Sequence, residues 1–149
     1  MPIERYRTFD WRMFYPDVGV RADFAMATKA GGFVFLRGQT GFDLEGAFHG
    51  VGDPAAQTEQ ACNNIRQLLA EAGLNMTDVC RITVYITDRA YRQQVYEVIS
   101  RHFAGVFPCS TGLVVNGLAL LEMLVEIDVV AYREDPPSSP AEDGSVPGE

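Results

Sequence analysis

The segment GDPAAQTEQACNNIRQLLAEAGL, residues 52–74, restricts the fold more than any other part of the chain. Its apolar residues recur at helical spacing in one stripe, which contains Ala61, Ile65, Leu68, Leu69 and Ala72. Asp53 is a good N-cap, Pro54 suits the first helical position, and Gly73 fits the residue just past the end. Because a helix with a single apolar stripe packs on one side only, this segment predicts a helix that covers the face of a sheet.

Strand-like segments on both sides of this helix set the order of the elements. Residues 22–30 and 32–39 predict a hairpin, because the glycine pair at residues 31 and 32 lies between their two strand-like runs. Residues 80–88 predict a third strand, and Asp88 can cap a second helix. The inward side of that helix contains Tyr91, Val95, Ile99 and Phe103. Residues 107–132 contain two more strand-like runs, so the chain predicts an α+β fold in which two helices cover one face of a single mixed sheet.

The predicted strands have apolar side chains on both faces. In residues 32–39, Val34 and Leu36 alternate with Phe33 and Phe35. Two helices on one side leave the other face uncovered. Since a bare apolar sheet face normally marks an interface, we expect the protein to form an oligomer.

Composition divides the chain into one folded domain and a tail. Residues 1–132 are sufficient for one domain with a sizeable core. Residues 133–149 contain five acids against one arginine, a net charge of −4 and half of the −8 of the whole chain. This segment, rich in Pro, Ser, Gly and acids, predicts a disordered tail, because it cannot bury enough apolar surface to offset the entropy of ordering.

Composition also argues against several classes of function. The acidic body lacks the clustered lysine and arginine that nucleic-acid binding requires, so we expect no nucleic-acid partner. No apolar run approaches the ~20 residues that span a bilayer, and no signal-peptide core is present, so we expect no membrane association and a cytoplasmic location. Three scattered cysteines, two histidines and no glycine-rich phosphate loop predict neither a metal site nor an organic cofactor.

Several segments, by their order and spacing, resemble the RidA/YjgF family of small deaminases. They are RGQTG, DPAAQTEQACNNIRQLLAEAGL, DVCRITVYITD and the pair FPCST and LVEIDVVAY, and the resemblance covers roughly residues 22–132. It implies a chorismate-mutase-like fold and a homotrimer whose bare sheet faces pack around the threefold axis. It also implies three clefts between subunits that hydrolyse small imines and enamines, such as 2-aminoacrylate, to keto acids and ammonia without a metal or organic cofactor.

The resemblance retains one catalytic residue and changes most of the substrate pocket. Glu126 matches the glutamate of the closing strand that is linked to the catalytic water. Ser110 stands where the family has the arginine that grips the substrate carboxylate. Phe24 replaces a tyrosine, Arg37 replaces a small serine, and Gln93 replaces an asparagine on the second helix. These departures predict a divergent member with another substrate, in which either Arg37 has taken over anion binding or the ligand is neutral at that point.

Neighbouring residues complete the predicted site. Gly38 and Thr111 are expected to contact the substrate, and Gln39 and Asn116 are further candidates for the lining of the cleft. Cys109 is also placed in the cleft, where it is more simply a small buried hydrophobe than a covalent nucleophile.

Glu126 has two interpretations. Burial among apolar neighbours would raise its pKa and suit it to proton exchange with a water, whereas an outward-facing strand glutamate would have no such role.

Three functions remain open at this point. The first is hydrolytic deamination of a small imine, enamine or related conjugated compound at subunit-interface clefts, with Glu126 handling the water. The second is a non-catalytic ligand-binding or regulatory trimer, which the missing arginine favours. The third and weaker alternative is a hydrolase with a covalent step on Cys109.

Overall fold

The computed structural model describes residues 2–136, which contain six strands and two α-helices. The strands are β1 (Glu4–Asp10), β2 (Asp23–Ala30), β3 (Phe33–Gln39), β4 (Val79–Ile86), β5 (Cys109–Val114) and β6 (Val125–Tyr132). The helices are α1 (Pro54–Glu71) and α2 (Arg92–His102). The strands form one sheet in the order β1-β2-β3-β6-β4-β5. Only the β4–β5 pair is parallel within the described residues, so the single mixed sheet with two helices is confirmed.

The sequence did not predict β1. It pairs antiparallel with β2 from Glu4 opposite Lys29 to Asp10 opposite Asp23. Its sequence, ERYRTFD, is mostly charged and polar, and a left-handed residue, Arg7 with φ 51°, interrupts the alternation. An edge strand of this kind lacks the apolar period-2 pattern by which strands are recognised.

The first helix begins and ends as its sequence predicts. The Asp53 side chain accepts a hydrogen bond of 3.0 Å from the backbone N–H of Ala56, and Pro54 is the first residue of α1. Gly73 follows the helix with φ 84°, a left-handed conformation that favours glycine. The apolar stripe of α1 is buried, including Ile65, Leu68 and Leu69.

The second helix begins later than predicted. Asp88 caps a short 3-10 turn, Arg89–Tyr91, by accepting a 2.8 Å hydrogen bond from the backbone N–H of Ala90. The α-helix itself starts at Arg92 without a side-chain cap. A capping residue marks where a helical turn starts but does not decide whether that turn is 3-10 or α. The predicted inward residues Val95, Ile99 and Phe103 are buried, and Tyr91 is half-buried.

The sheet has one covered face and one open face. The helix-covered face contains the buried side chains Val34, Leu36, Ile82, Val84, Ile86, Val125, Ile127 and Val129. The open face is the opposite side, where Phe33, Phe35 and Tyr132 are 47%, 45% and 41% exposed. The rings of Phe33 and Tyr132 lie 4.9 Å apart between centroids, so the exposed aromatic side chains form one patch. The bare apolar face expected from strand alternation is therefore present in the single chain.

Residues just after β6 are attached to the domain. Arg133 pairs with Asp78 at 2.7 Å and donates a 3.1 Å hydrogen bond to the carbonyl of Gly73. The predicted disordered tail comprises residues 133–149. Its residues from 137 onward lie outside the described residues, so their disorder stays a prediction. Neither α1 nor α2 in the described part is long and apolar enough to cross a membrane. The cytoplasmic location stays a prediction as well.

Candidate functional site

Glu126 lies on the open face in the middle of the sheet. Its neighbours in β6, Val125 and Ile127, are fully buried on the helix-covered face, so strand alternation directs Glu126 to the other side. The Glu126 side chain is half-buried because it lies across the backbone of Gly38 in β3. A Cβ at residue 38 would overlap Glu126 Oε1 and lie 2.7 Å from its Cδ. The glycine is therefore what allows the carboxylate to lie flat against the sheet.

A small cleft of about 320 Å³ surrounds this carboxylate, and we call it the Glu126 cleft. Its lining consists of Gly38, Tyr85, Val115, Gly117, Leu118, Glu126 and Asp128. The Tyr85 hydroxyl donates a 3.2 Å hydrogen bond to Asp128 Oδ2. The cleft thus combines two carboxylates and a phenol with an apolar wall from the loop before β6.

The surroundings of Glu126 in this cleft raise its pKa. Burial is the largest cause that raises the pKa of Glu126 above its ordinary value of 4.5, and the nearby charge of Asp128 adds to the effect. The positive charge of Arg37 acts in the opposite direction. The raised pKa brings the proton equilibrium of Glu126 closer to neutral pH, where a carboxyl group can serve as general base and then general acid.

Arg37 also lies on the open face, next to a bulge in β3. The register between β3 and β6 shifts between Leu36 and Gln39, so Arg37 and Gly38 interrupt the regular pairing. The Arg37 guanidinium lies 5.1 Å from the ring centroid of Phe9 and 5.5 Å from that of Phe14. It also makes a long 3.5 Å contact with the hydroxyl of Tyr15.

Phe24 extends this aromatic surface on β2. It is 48% exposed, and its ring lies 6.2 Å from that of Phe9. Phe24, Arg37, Gly38 and Glu126 thus share the open face, although Phe24 does not line the Glu126 cleft.

Ser110 and Gln93 lie on the other side of the sheet. Ser110 pairs in register with the buried Ile82, which places it on the helix-covered face. Together with Gln93 it lines a groove of about 1100 Å³ between α2 and β5, which we call the α2–β5 groove. Gln93 donates a 2.7 Å hydrogen bond to Glu97 on the same helix. Within one chain, then, the sheet separates Ser110 and Gln93 from Glu126.

Three groove residues were missed by sequence reasoning. Tyr96 projects from α2 so close to Gly112 that a Cβ there would overlap its hydroxyl oxygen. Arg89 and Arg92, from the start of the same helical segment, line the groove as well. No signal in the sequence pairs them with Ser110, because α2 and β5 meet only through the parallel β4–β5 pairing. Tyr85 and Asp128, in contrast, could have been found, because strand alternation places both on the face of Glu126.

Cys109 and Thr111 lie at the exposed edge strand β5. The interpretation of Cys109 as a small buried hydrophobe is wrong for the single chain, because the thiol is exposed and no further strand of residues 2–136 covers β5. Thr111 accepts a 3.1 Å hydrogen bond from Arg81 of β4. Neither histidine supplies a base to this edge, since His102 pairs with Glu59 at 2.9 Å and His49 pairs with Asp43 at 2.7 Å.

The two further candidates for the lining have different positions. Gln39 is buried, donates a 2.8 Å hydrogen bond to the carbonyl of Arg37 and accepts one of 3.2 Å from Asn64 of α1. It therefore supports the bulge from the helix-covered face and does not reach the open one. Asn116 is exposed between Val115 and Gly117 at the rim of the Glu126 cleft.

The structure offers no cluster for metal binding in residues 2–136, where no group of three or more His, Cys, Asp or Glu side chains is suitably placed.

Comparison with known proteins gives the family. A family model described as endoribonuclease L-PSP matches residues 17–133. A RutC family protein of Pyrococcus abyssi is 33% identical over 111 residues, which are 74% of this chain and 87% of the relative. The crystal structure of Rv2704 from Mycobacterium tuberculosis, described as a member of the YjgF/YER057c/UK114 family, matches with a TM-score of 0.72 at 29% identity and covers 89% of this chain and 100% of that one. That of RidA from Psychrobacter matches with a TM-score of 0.67 at 29% identity, covering 74% and 88%. The chain therefore belongs to the YjgF/RidA family, whose fold it shares.

Proposed function

We propose that this protein hydrolyses a small imine or enamine, releasing ammonia, in clefts between the subunits of a homotrimer, with Glu126 handling the water. Family membership supports this class of reaction. The observation that supports the proposed reaction most strongly is the position of Glu126, which is half-buried, has a raised pKa and lies against Gly38 in a small cleft. A surface glutamate without a function has no reason to occupy a position where its charge is costly.

The reaction requires a group that both accepts and donates a proton. Water adds to the carbon of the protonated C=N bond and gives one of its protons to Glu126, so the nitrogen becomes a neutral amine. Glu126 returns that proton to the amine of the resulting carbinolamine. The carbon–nitrogen bond then breaks, ammonia leaves, and the hydroxyl group gives its proton to the Glu126 carboxylate as the carbon–oxygen double bond forms. An enamine enters the same sequence after protonation on carbon. A carboxyl group titrating above its ordinary range suits both steps.

The positions of the two sets of residues support a cleft shared between copies. Glu126 lies on the open face, whereas Ser110 and Gln93 line the α2–β5 groove on the opposite side of the same sheet. Both sets can line one cleft only if the open face of one copy packs near the groove of another. The exposed patch of Phe33, Phe35 and Tyr132 gives the open face an apolar surface that such packing would cover.

A ribonuclease activity, which the name of the family model suggests, has less support in this chain. Its net charge of −8 opposes binding of a phosphate backbone. The two histidines, which would be natural acid–base groups for RNA cleavage, are paired with Glu59 and Asp43. A small-molecule substrate fits the enclosed carboxylate better.

A non-catalytic ligand-binding trimer is the second candidate, and the neutral Ser110 favours it, because the family's substrate-binding arginine is absent there. The two candidates differ in what Glu126→Gln should do. The test generates 2-imino acids in solution with an amino-acid oxidase and follows the rate of keto acid formation. We expect the protein to accelerate that rate, Glu126→Gln to lose the acceleration, and Glu122→Gln, an exposed charge-matched control, to keep it. Absence of acceleration by the wild-type protein over several imino acids would contradict the catalytic proposal and favour the binding one.

A further inference from the structure

Arg37 has a charge that no carboxylate among residues 2–136 pairs with. Its side chain is half-buried, yet it takes part in none of the ion pairs among residues 2–136. The chain has 20 acidic residues against 12 basic ones, so carboxylate partners are not scarce. A guanidinium offers a planar fork of N–H donors that matches a carboxylate in two hydrogen bonds. Half-burial without a partner therefore leaves an anion site on the open face.

The guanidinium is also held in place before any ligand arrives. The rings of Phe9 and Phe14 lie on it at 5.1 and 5.5 Å, and the hydroxyl of Tyr15 contacts it at 3.5 Å. Phe14 and Tyr15 are themselves buried, so this support is rigid. Less rotamer entropy is then lost when an anion binds.

Arg37 and Glu126 have the relationship that a 2-imino acid requires. In such a compound the carboxylate is bonded directly to the imine carbon, so the cation and the group that handles water must be neighbours without neutralising each other. Arg37 directly precedes Gly38, whose backbone lies against the Glu126 carboxylate, yet Arg37 and Glu126 form no ion pair. The guanidinium thus remains available for a ligand, and the residue that follows Arg37, Gly38, lines the Glu126 cleft.

We propose that Arg37 binds the carboxylate of the substrate from the open face, which makes the substrate a 2-imino or 2-enamino acid. The substrate then lies with its carboxylate toward Phe9 and Phe14, away from the α2–β5 groove in which Ser110 lies. This inference rests on the proposed function for the identity of the reaction, but the binding of a carboxylate by Arg37 is measurable without turnover.

Arg89 and Arg92 of the α2–β5 groove are the competing cations. Both line the groove with Ser110 and could supply the missing charge there. Both are exposed, and within the described part of the chain no aromatic ring or hydroxyl holds them as Phe9, Phe14 and Tyr15 hold Arg37. The structure therefore favours Arg37.

The test measures binding of 2-oxobutanoate and of its neutral methyl ester by calorimetry. Arg37→Met retains an unbranched apolar stem against the two rings, and near-UV circular dichroism and sedimentation verify its fold and assembly. We expect the Kd of 2-oxobutanoate to rise by about 30-fold in Arg37→Met, as for loss of one partner of a partly desolvated charge pair, with little change in ester binding. Arg66→Met, at an exposed arginine of α1 outside both the Glu126 cleft and the α2–β5 groove, is the matched control and should bind both ligands like the wild type, whereas Arg92→Ala tests the competing cation.

Three results would overturn the inference. They are equal affinity of the wild type for acid and ester, unchanged acid binding in Arg37→Met, and loss of acid binding in Arg92→Ala instead. If carboxylate binding depends on Arg37 but no imine is hydrolysed, the proposed function fails while Arg37 remains the anion site.

Discussion

Gly38 of β3 lies directly beneath the carboxylate of Glu126 in β6, with no room for a side chain between them. This contact determines where the carboxylate lies and how deeply it is buried. Gly38→Ala should push the Glu126 side chain out of the cleft. Because that side chain is flexible, the cost in stability should be modest, about 1 kcal/mol, while imine hydrolysis should fall sharply. Gly117→Ala is the control in the same cleft, since a Cβ there meets nothing within 4 Å. Equal activity of Gly38→Ala and Gly117→Ala would contradict this role.

The charge of Glu126 should make stability depend on pH. Its pKa is raised in the folded state, so the folded protein holds this proton more tightly than the unfolded chain. The associated stability is fully present below the ordinary value of 4.5 and is lost as pH rises through the folded pKa. Glu126→Gln has no such loss. The Tm of the variant minus that of the wild type should therefore increase from pH 4 to pH 8, and a difference that is flat or decreasing would be inconsistent with a buried carboxylate.

Gln57 of α1 should contribute strongly to stability and to the position of β6. Its buried amide donates to the carbonyls of Gly50 and Glu122 at 2.9 and 2.8 Å and accepts from the N–H of Leu124 at 2.9 Å. Gln57→Leu would leave these backbone groups unpaired at about 1–3 kcal/mol each, so a loss of roughly 3 kcal/mol or more in urea unfolding is expected. Gln67→Leu, on the exposed side of the same helix, should change stability by less than about 0.5 kcal/mol.

The C-terminal segment should divide into a part that stabilises the fold and a part that does not. A chain ending at Pro136 keeps the contacts of Arg133 with Asp78 and Gly73 and should melt like the full chain. A chain ending at Tyr132 loses them and should be less stable by about 1 kcal/mol, because the ion pair is partly exposed. Identical Tm values for the two truncations would show that the Arg133 contacts contribute nothing.

Strand alternation was the most informative signal in the sequence. It put Val34 and Leu36 on one face of the strand and Phe33 and Phe35 on the other. Those assignments follow from a period of two and need no knowledge of the partner strands. Strand alternation did not predict which of the two faces the helices cover, and it left the direction of Glu126 open.

What the sequence could not predict depends on pairing between distant segments. The bulge at Arg37 and Gly38 arises from the register between β3 and β6, and the contact of the Arg37 guanidinium with Phe9 joins β3 to β1. Neither relationship is visible in the sequence, so the aromatic support of Arg37 could not be predicted. In the same way, Tyr96 meets Gly112 only because β5 pairs in parallel with β4. The polar edge strand β1 was missed because most of its side chains are not buried.

We expect each cleft to combine Glu126 of one copy with the α2–β5 groove of another. Co-refolding of Glu126→Gln with Ser110→Trp, which fills the groove, tests it directly. Each variant alone should be inactive, but an equimolar mixture refolded together should regain about a quarter of wild-type imine hydrolysis. About three quarters of its trimers are then mixed, and about one cleft in three of each mixed trimer combines an intact Glu126 with an intact groove. If native mass spectrometry shows mixed trimers and no activity returns, the cleft does not join two copies and the account is wrong.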